Sequence, residues 1–299
     1  MANAIALQRL LQLLQQSLSL PQITSLELPL FRQQMLFGFQ QYNSSLNAIF
    51  LGAQADSPGM AFLSGYQNAI RCLDKNCPAN ELAAFCVSEK GVKKPWDMMT
   101  SIVATGDGYR LSGQKGYVML MPDELDRLYV IAKSENEQLV CAFLNSASKG
   151  LTVTEALKAP FVEDIPHTGV GFNQVHIAEA QLLKIDGHKE ANKPFRYWED
   201  IHVSLSMMAW MLREGLNNGK SLQDFEDLTR LMCQLNEKFE EQPDYYSAES
   251  FPLLDECQDV LENHSKNLSQ TSQNAWKKDR LLLQMGQKIR HFVRAKIAR

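Results

Sequence analysis

The hydrophobic period of this 299-residue chain changes twice, and those two changes restrict the available folds more than any single motif does. Residues 4–18, AIALQRLLQLLQQSL, put Leu7, Leu10, Leu11, Leu14 and Leu18 on one helical stripe, with Leu13 to one side and Ile5 on the far face. A stripe of this kind ordinarily packs against a core. Further helices are predicted over 28–54 and 59–75, the second ending at the breakers of DKNCPANE.

From residue 84 short apolar runs take over, at 84–88, 98–104, 109–111, 117–121, 127–132, 139–144, 151–153 and 170–177. TGDG, KSENEQ and NSASKG separate them as turns, so the stretch predicts a compact antiparallel barrel or sandwich. After KIDGHKEANKP the helical period returns, over 195–217, 221–241, 246–268 and 273–298. LNNG stops the first of these helices, Ser221 with Asp224 starts the second, and QPDYYS breaks the chain before the third. Four helices joined by short loops predict an up-and-down bundle. The fold class is therefore α+β and multidomain: N-terminal helices over 1–82, a β domain over 83–187 and a four-helix bundle over 194–299.

A net charge of −4 gives no global attraction to nucleic acid or to an anionic membrane, and neither partner is expected. The basic tail from Lys277 to Arg299 is expected to be an amphipathic helix. Its Leu281, Leu282, Met285, Ile289, Phe292, Val293 and Ile297 would be buried and its cations solvated. Cys72, Cys77, Cys86, Cys141, Cys233 and Cys257 form no CxxC pair, which fits a reducing compartment without disulfides. The chain has no run of about 18 apolar residues, and the expected location is the cytoplasm. His167 and His176 lack companions at ligand spacing, so no metal site is expected. The GVG at 169–171 lacks the third glycine of a dinucleotide fingerprint, and neither a G-x-S-x-G nor a P-loop pattern occurs.

Four pieces then fall in a telling order: FCVSEKG, KPWDMMTSIVA, GDGYRLSGQKGYVM and GVGFNQVHIAEAQLL. Together they resemble the middle domain of the acyl-CoA dehydrogenase family of flavoproteins. GYQNAIRCLDKNCPANELAAFCVSE and WKKDRLLLQMGQKIRHFVRAKIAR are similar to the segments on either side, in a chain shorter than typical members. The resemblance implies an FAD-dependent oxidoreductase acting on the CH–CH group of an acyl thioester such as acyl-CoA. It also implies FAD held between the β domain and the bundle, and assembly as a homodimer or homotetramer. The aromatic and methionine-rich FRYWEDIHVSLSMMAWML is first a bundle core and second an interface.

By the same resemblance, Phe85, Val87, Ser88, Tyr117, Val118 and Met119 would bind the cofactor, with Gly113 and Lys115 recurring in the family's order. Ser88 offers the hydroxyl the family takes from Thr, and Tyr117 stands where the family has a stacking Trp. Met119 replaces a Thr and has no hydroxyl. KGVKKPWD replaces a glycine-rich phosphate loop, leaving Lys93 and Lys94 as the candidate phosphate contacts or as a solvated turn. Alignment on Gly286 puts Met285 at the family's catalytic carboxylate, and methionine accepts no proton. Glu199 and Glu214 are the nearest substitutes, Glu214 reading more simply as a surface charge. Two alternatives follow from these changes: a catalytically inactive protein of this fold serving as an interaction module, and a flavin-dependent monooxygenase of this fold, which needs no carboxylate base.

Overall fold

A computed structural model describes residues 2–121, 123–157 and 160–297. The chain divides into two compact units. The first gathers residues 1–72, 160–164 and 197–299, the second residues 73–159 and 165–196. The divisions 1–82, 83–187 and 194–299 follow changes of period; by contact, the first and last helical stretches share one unit.

The first unit is built from α1 (Ala2–Leu18), α2 (Leu28–Phe39), α3 (Ser44–Gly52), α4 (Pro58–Leu73), α5 (Lys193–Asn217), α6 (Glu226–Glu241), α7 (Ser250–His264) and α8 (Gln270–Ile297), of which α4 and α5 each extend into the second unit. The single helix expected over 28–54 is two, because Asn43 caps α3: its Oδ1 accepts the Leu46 N–H at 3.0 Å. Ser57 starts α4 by accepting the Met60 N–H, and Ser221 with Asp224 leads into α6. Ile49, Phe50 and Leu51 of α3 and Met207, Met208, Trp210 and Met211 of α5 are all buried, Gly52 of α3 lies against Ser206 of α5, and the Trp210 ring stacks on Trp276 with centroids 6.2 Å apart. The aromatic run of α5 is therefore core.

Two amphipathic expectations change. In α1 the buried face is Leu10, Leu13 and Leu14, while Leu7 and Leu11 are exposed; Ser17 completes the packed face by donating to the Phe50 carbonyl. In α8 the packed face carries Trp276, Asp279, Gly286 and Arg290, and the apolar Leu281, Met285, Ile289 and Phe292 point to solvent. Ion pairs from Arg290 to Asp200 and Asp255 select that orientation over the apolar stripe.

The second unit is one mixed eight-stranded sheet of β1 (Ala83–Cys86), β2 (Ser101–Thr105), β3 (Gly108–Met119), β4 (Arg127–Ser134), β5 (Leu139–Asn145), β6 (Leu151–Leu157), β7 (His167–Ile177) and β8 (Leu182–Asp186). The order is β6-β7-β3-β2-β4-β5-β8, with β1 on β4. It is not wholly antiparallel as expected: β1 and β2 both run parallel to β4, since the chain crosses back over residues 87–100 between them. The runs at 109–111 and 117–121 are the two ends of one long strand, β3. All six cysteines are free, and no described helix is long and apolar enough to cross a membrane.

Candidate functional site

The site region starts where β1 leaves β4. Register pairs Phe85 with Tyr129 and Cys86 with Val130, which fixes the direction in which Val87, Ser88 and Glu89 emerge. The Ser88 carbonyl then accepts the Gly116 N–H at 2.8 Å, so residues 87–89 lie beside residues 115–117 of β3. Beneath this link Lys115, 2% exposed, sends Nζ to Glu89 Oε1 at 2.7 Å and to the Val87 carbonyl at 3.2 Å. Glu89 in turn accepts the N–H groups of Met99 and Thr100 at 2.7 and 3.1 Å.

Gly113 makes this approach possible. Its φ is +137°, and a Cβ there would lie 2.5 Å from Thr100 Cα, so only glycine lets β3 pass so close to the start of β2. Burial alone would raise the Glu89 carboxyl, but the hydrogen bonds from Lys115, Met99 and Thr100 outweigh it and hold the carboxyl below its usual range. Burial pulls the Lys115 ammonium down against the attraction of Glu89.

Directly after Lys115 the pairing of β3 with β7 slips, and Tyr117 adopts φ +55°. The slip turns the Tyr117 side chain out, 63% exposed, while Val118 and Met119 are buried. Ser88 is exposed and Val87 half-buried, so Ser88 and Tyr117 emerge on neighbouring backbones held by one hydrogen bond. The Phe85 ring lies 4.4 Å from the Phe195 ring. Lys93 and Lys94 are exposed, and the nearby Trp96 meets His188 edge-on.

The residues expected for proton chemistry lie in the helical unit. Met285 is 49% exposed on α8. Its neighbour Gly286 faces Asp200, whose carboxylate accepts from the Tyr246 hydroxyl and pairs with Arg290. Glu214 is not a free surface charge: Oε1 accepts from Gln22 Nε2 at 3.0 Å and Oε2 from the Ser272 hydroxyl at 2.6 Å. Glu199 is half-buried on α5. His167 Nδ1 lies 2.9 Å from the Ile165 carbonyl and His176 Nε2 3.0 Å from the Asp107 carbonyl; burial lowers the His167 pKa. Among the described residues no group of three His, Cys, Asp or Glu is placed to hold a metal ion.

Sequence reasoning singled out Ser88, Lys115 and Tyr117 but gave no role to Glu89, the acid that fixes Lys115. An acid one residue past Ser88 and a lysine two past a glycine are visible signals, yet their pairing spans 26 positions and appears only when the strands are assembled.

The fold is similar to that of several solved proteins, an acyl-CoA dehydrogenase among them. FkbI, described for biosynthesis of the methoxymalonyl extender unit of Fk520, matches with TM-score 0.69 and 13% identity over 99% of this chain and 98% of its own. Apo-form PigA gives 0.68 and 14% over 96% and 91%, and butyryl-CoA dehydrogenase from Megasphaera elsdenii 0.63 and 12% over 96% and 98%. PigA has also been solved with FAD and proline. No family profile and no curated protein matches the chain. At these identities the likeness is one of fold.

Proposed function

We propose that this chain is an FAD-dependent oxidoreductase of the acyl-CoA dehydrogenase fold, acting in the cytoplasm on the CH–CH group of an acyl thioester such as acyl-CoA. In this reading the mixed sheet is that fold's β-barrel domain and α5–α8 its bundle. The observation that carries it is the Gly116-to-Ser88 hydrogen bond, which sets an exposed hydroxyl beside an exposed, outward-turned aromatic ring. A flavin needs donors at the edge of its ring system, an apolar wall on one face and support for its pyrophosphate. Ser88 supplies the hydroxyl, Tyr117 the wall, Phe85 and Val87 apolar surface, and Val118 and Met119 backbone groups. Lys93 and Lys94 supply cations for phosphate. The presence of FAD among solved proteins of this fold supports the assignment.

When bound, the flavin supplies a two-electron acceptor. What this chain's own residues supply toward proton transfer is narrower. Met285 has no basic atom, and both oxygens of Glu214 are engaged by Gln22 and Ser272. These two observations favour, as second readings, an oxygen-using flavin enzyme that needs no carboxylate and a non-catalytic protein of the same fold.

The test is the visible spectrum of the purified protein with and without added FAD. Flavin absorbance retained on gel filtration is expected; a colourless protein that takes up no added FAD overturns the proposal. Anaerobic bleaching by an acyl-CoA supports dehydrogenation, and oxygen consumption by the reduced protein supports the monooxygenase instead.

A further inference from the structure

The outward face of α8 carries Leu281, Met285, Ile289 and Phe292, spaced four, four and three residues apart, so they form one continuous stripe over three turns. Each is between 36% and 62% exposed. At 100° per residue Lys277, Lys288 and Lys296 fall on or beside the same face, and the Lys296 Nζ sits 4.4 Å from the Phe292 ring centroid. From Arg280 to Ile297 the helix has no acidic residue, and Arg280, Arg290 and Arg294 are already paired with Glu262, Asp200 and Asp255 on the packed side. The exposed stripe is thus apolar and cationic.

The same unit contains the opposite surface. A groove of about 1000 Å³ runs along α1 and α6, with Leu7, Leu11 and Leu222 as its apolar lining. Asp224, Glu226, Asp227 and Glu237 also line it, against one basic residue, Arg230, whose guanidinium is taken by Gln234 and Glu256. Leu7 and Leu11, one helical turn apart, present an apolar strip matching that of α8.

We infer that this groove receives the α8 stripe of a second copy of the chain. Charge decides the pairing: stripe against stripe would oppose Lys277, Lys288 and Lys296 to their own copies, whereas stripe against groove opposes them to Glu226 and Glu237. The contact is either reciprocal in a twofold dimer or continued head to tail. The contact uses none of Phe85, Val87, Ser88, Tyr117, Val118 and Met119, but it includes Met285, the residue that the resemblance sets at the family's catalytic position.

Light scattering on the full chain, over a concentration series and at low and high salt, tests this. The expected mass is a multiple of the 33.8 kDa chain, falling as salt screens the charges. Phe292→Glu is expected to weaken association by about thirtyfold or more, as loss of a central aromatic anchor does. Glu226→Lys with Glu237→Lys is expected to weaken it as well, and adding Lys288→Glu with Lys296→Glu to that pair to restore it. All these positions are half-buried or exposed, so circular dichroism and thermal melts should match the parent. A monomer at every concentration overturns the inference, as does a mass unmoved by the groove variants whatever Phe292→Glu does.

Discussion

Lys115 Nζ lies 2.7 Å from Glu89 Oε1 with both side chains buried, and the pair ties β3 to the segment that carries Ser88. Removing one member strands the other charge away from water. Lys115→Met is therefore expected to lower unfolding stability by about 3–5 kcal/mol, whereas Lys115→Met with Glu89→Leu should recover much of the loss. Urea melts of the three proteins check this; a Lys115→Met protein as stable as the parent shows that the pair does not hold these strands.

Tyr117 combines a left-handed backbone with an exposed ring. Holding a bulky residue there costs on the order of 1 kcal/mol, and so little buried surface offsets it that the strain points to a role outside folding. Tyr117→Gly is expected to raise the melting temperature of the flavin-free protein slightly and to weaken FAD binding by up to about tenfold, the worth of a lost aromatic stack. A less stable flavin-free variant indicates that the ring packs against the protein instead of facing a ligand.

Period changes are legible along the chain because helices and strands bury side chains at spacings of 3.6 and 2, so the helix–sheet–helix order is written in the sequence. Which face of a helix is buried was less legible. In α8 the choice between the apolar stripe and the Asp279–Gly286–Arg290 face depends on Asp200 and Asp255, acids 79 and 24 residues or more away from the helix's own signal. Ser88 and Tyr117 drew notice because each stood in a recognisable local string; the pairings of Glu89 with Lys115 and of Phe195 with Phe85 did not, because the partners are distant in sequence. β8 was missed since five residues with no strong alternation give little signal.

Glu214 separates a structural from a catalytic account of the first long C-terminal helix. Its two oxygens hold Gln22, ahead of α2, and Ser272, at the start of α8. Glu214→Ala leaves those donors without a partner and is expected to cost about 1–3 kcal/mol. Glu214→Gln keeps an acceptor for one of them and should cost less. If Glu214 were the proton acceptor, the Gln variant would lose turnover with stability intact; an anchor predicts the reverse, a stability change with any flavin reduction by substrate unaltered. Paired melts and single-turnover reduction distinguish them.

Asp279 makes stability depend on pH. Its Oδ1 accepts the N–H of Val162 at 2.6 Å, and Val162 is buried with φ +44°. Burial is the main cause of a carboxyl raised from 3.8 to about 6, opposed first by the Val162 N–H and last by Lys278, with Asp164 and Glu163 adding to the rise. Burial raises Asp56 too, so its effect has the same sign. Because the folded pKa exceeds the unfolded one, the folded chain holds more protons between them, and this group's contribution is full below 3.8 and lost as pH rises through about 6. The loss is on the order of 3 kcal/mol by neutral pH. Asp279→Asn keeps an oxygen for Val162 and carries no charge. It is expected to melt above the parent at about pH 7.5 and level with it at about pH 4. Asp279→Ala orphans the Val162 N–H and should fall below the parent at the lower pH. An Asn variant that is no more stable than the parent at the higher pH would mean the Asp279 carboxylate is already well solvated or paired, contrary to its burial.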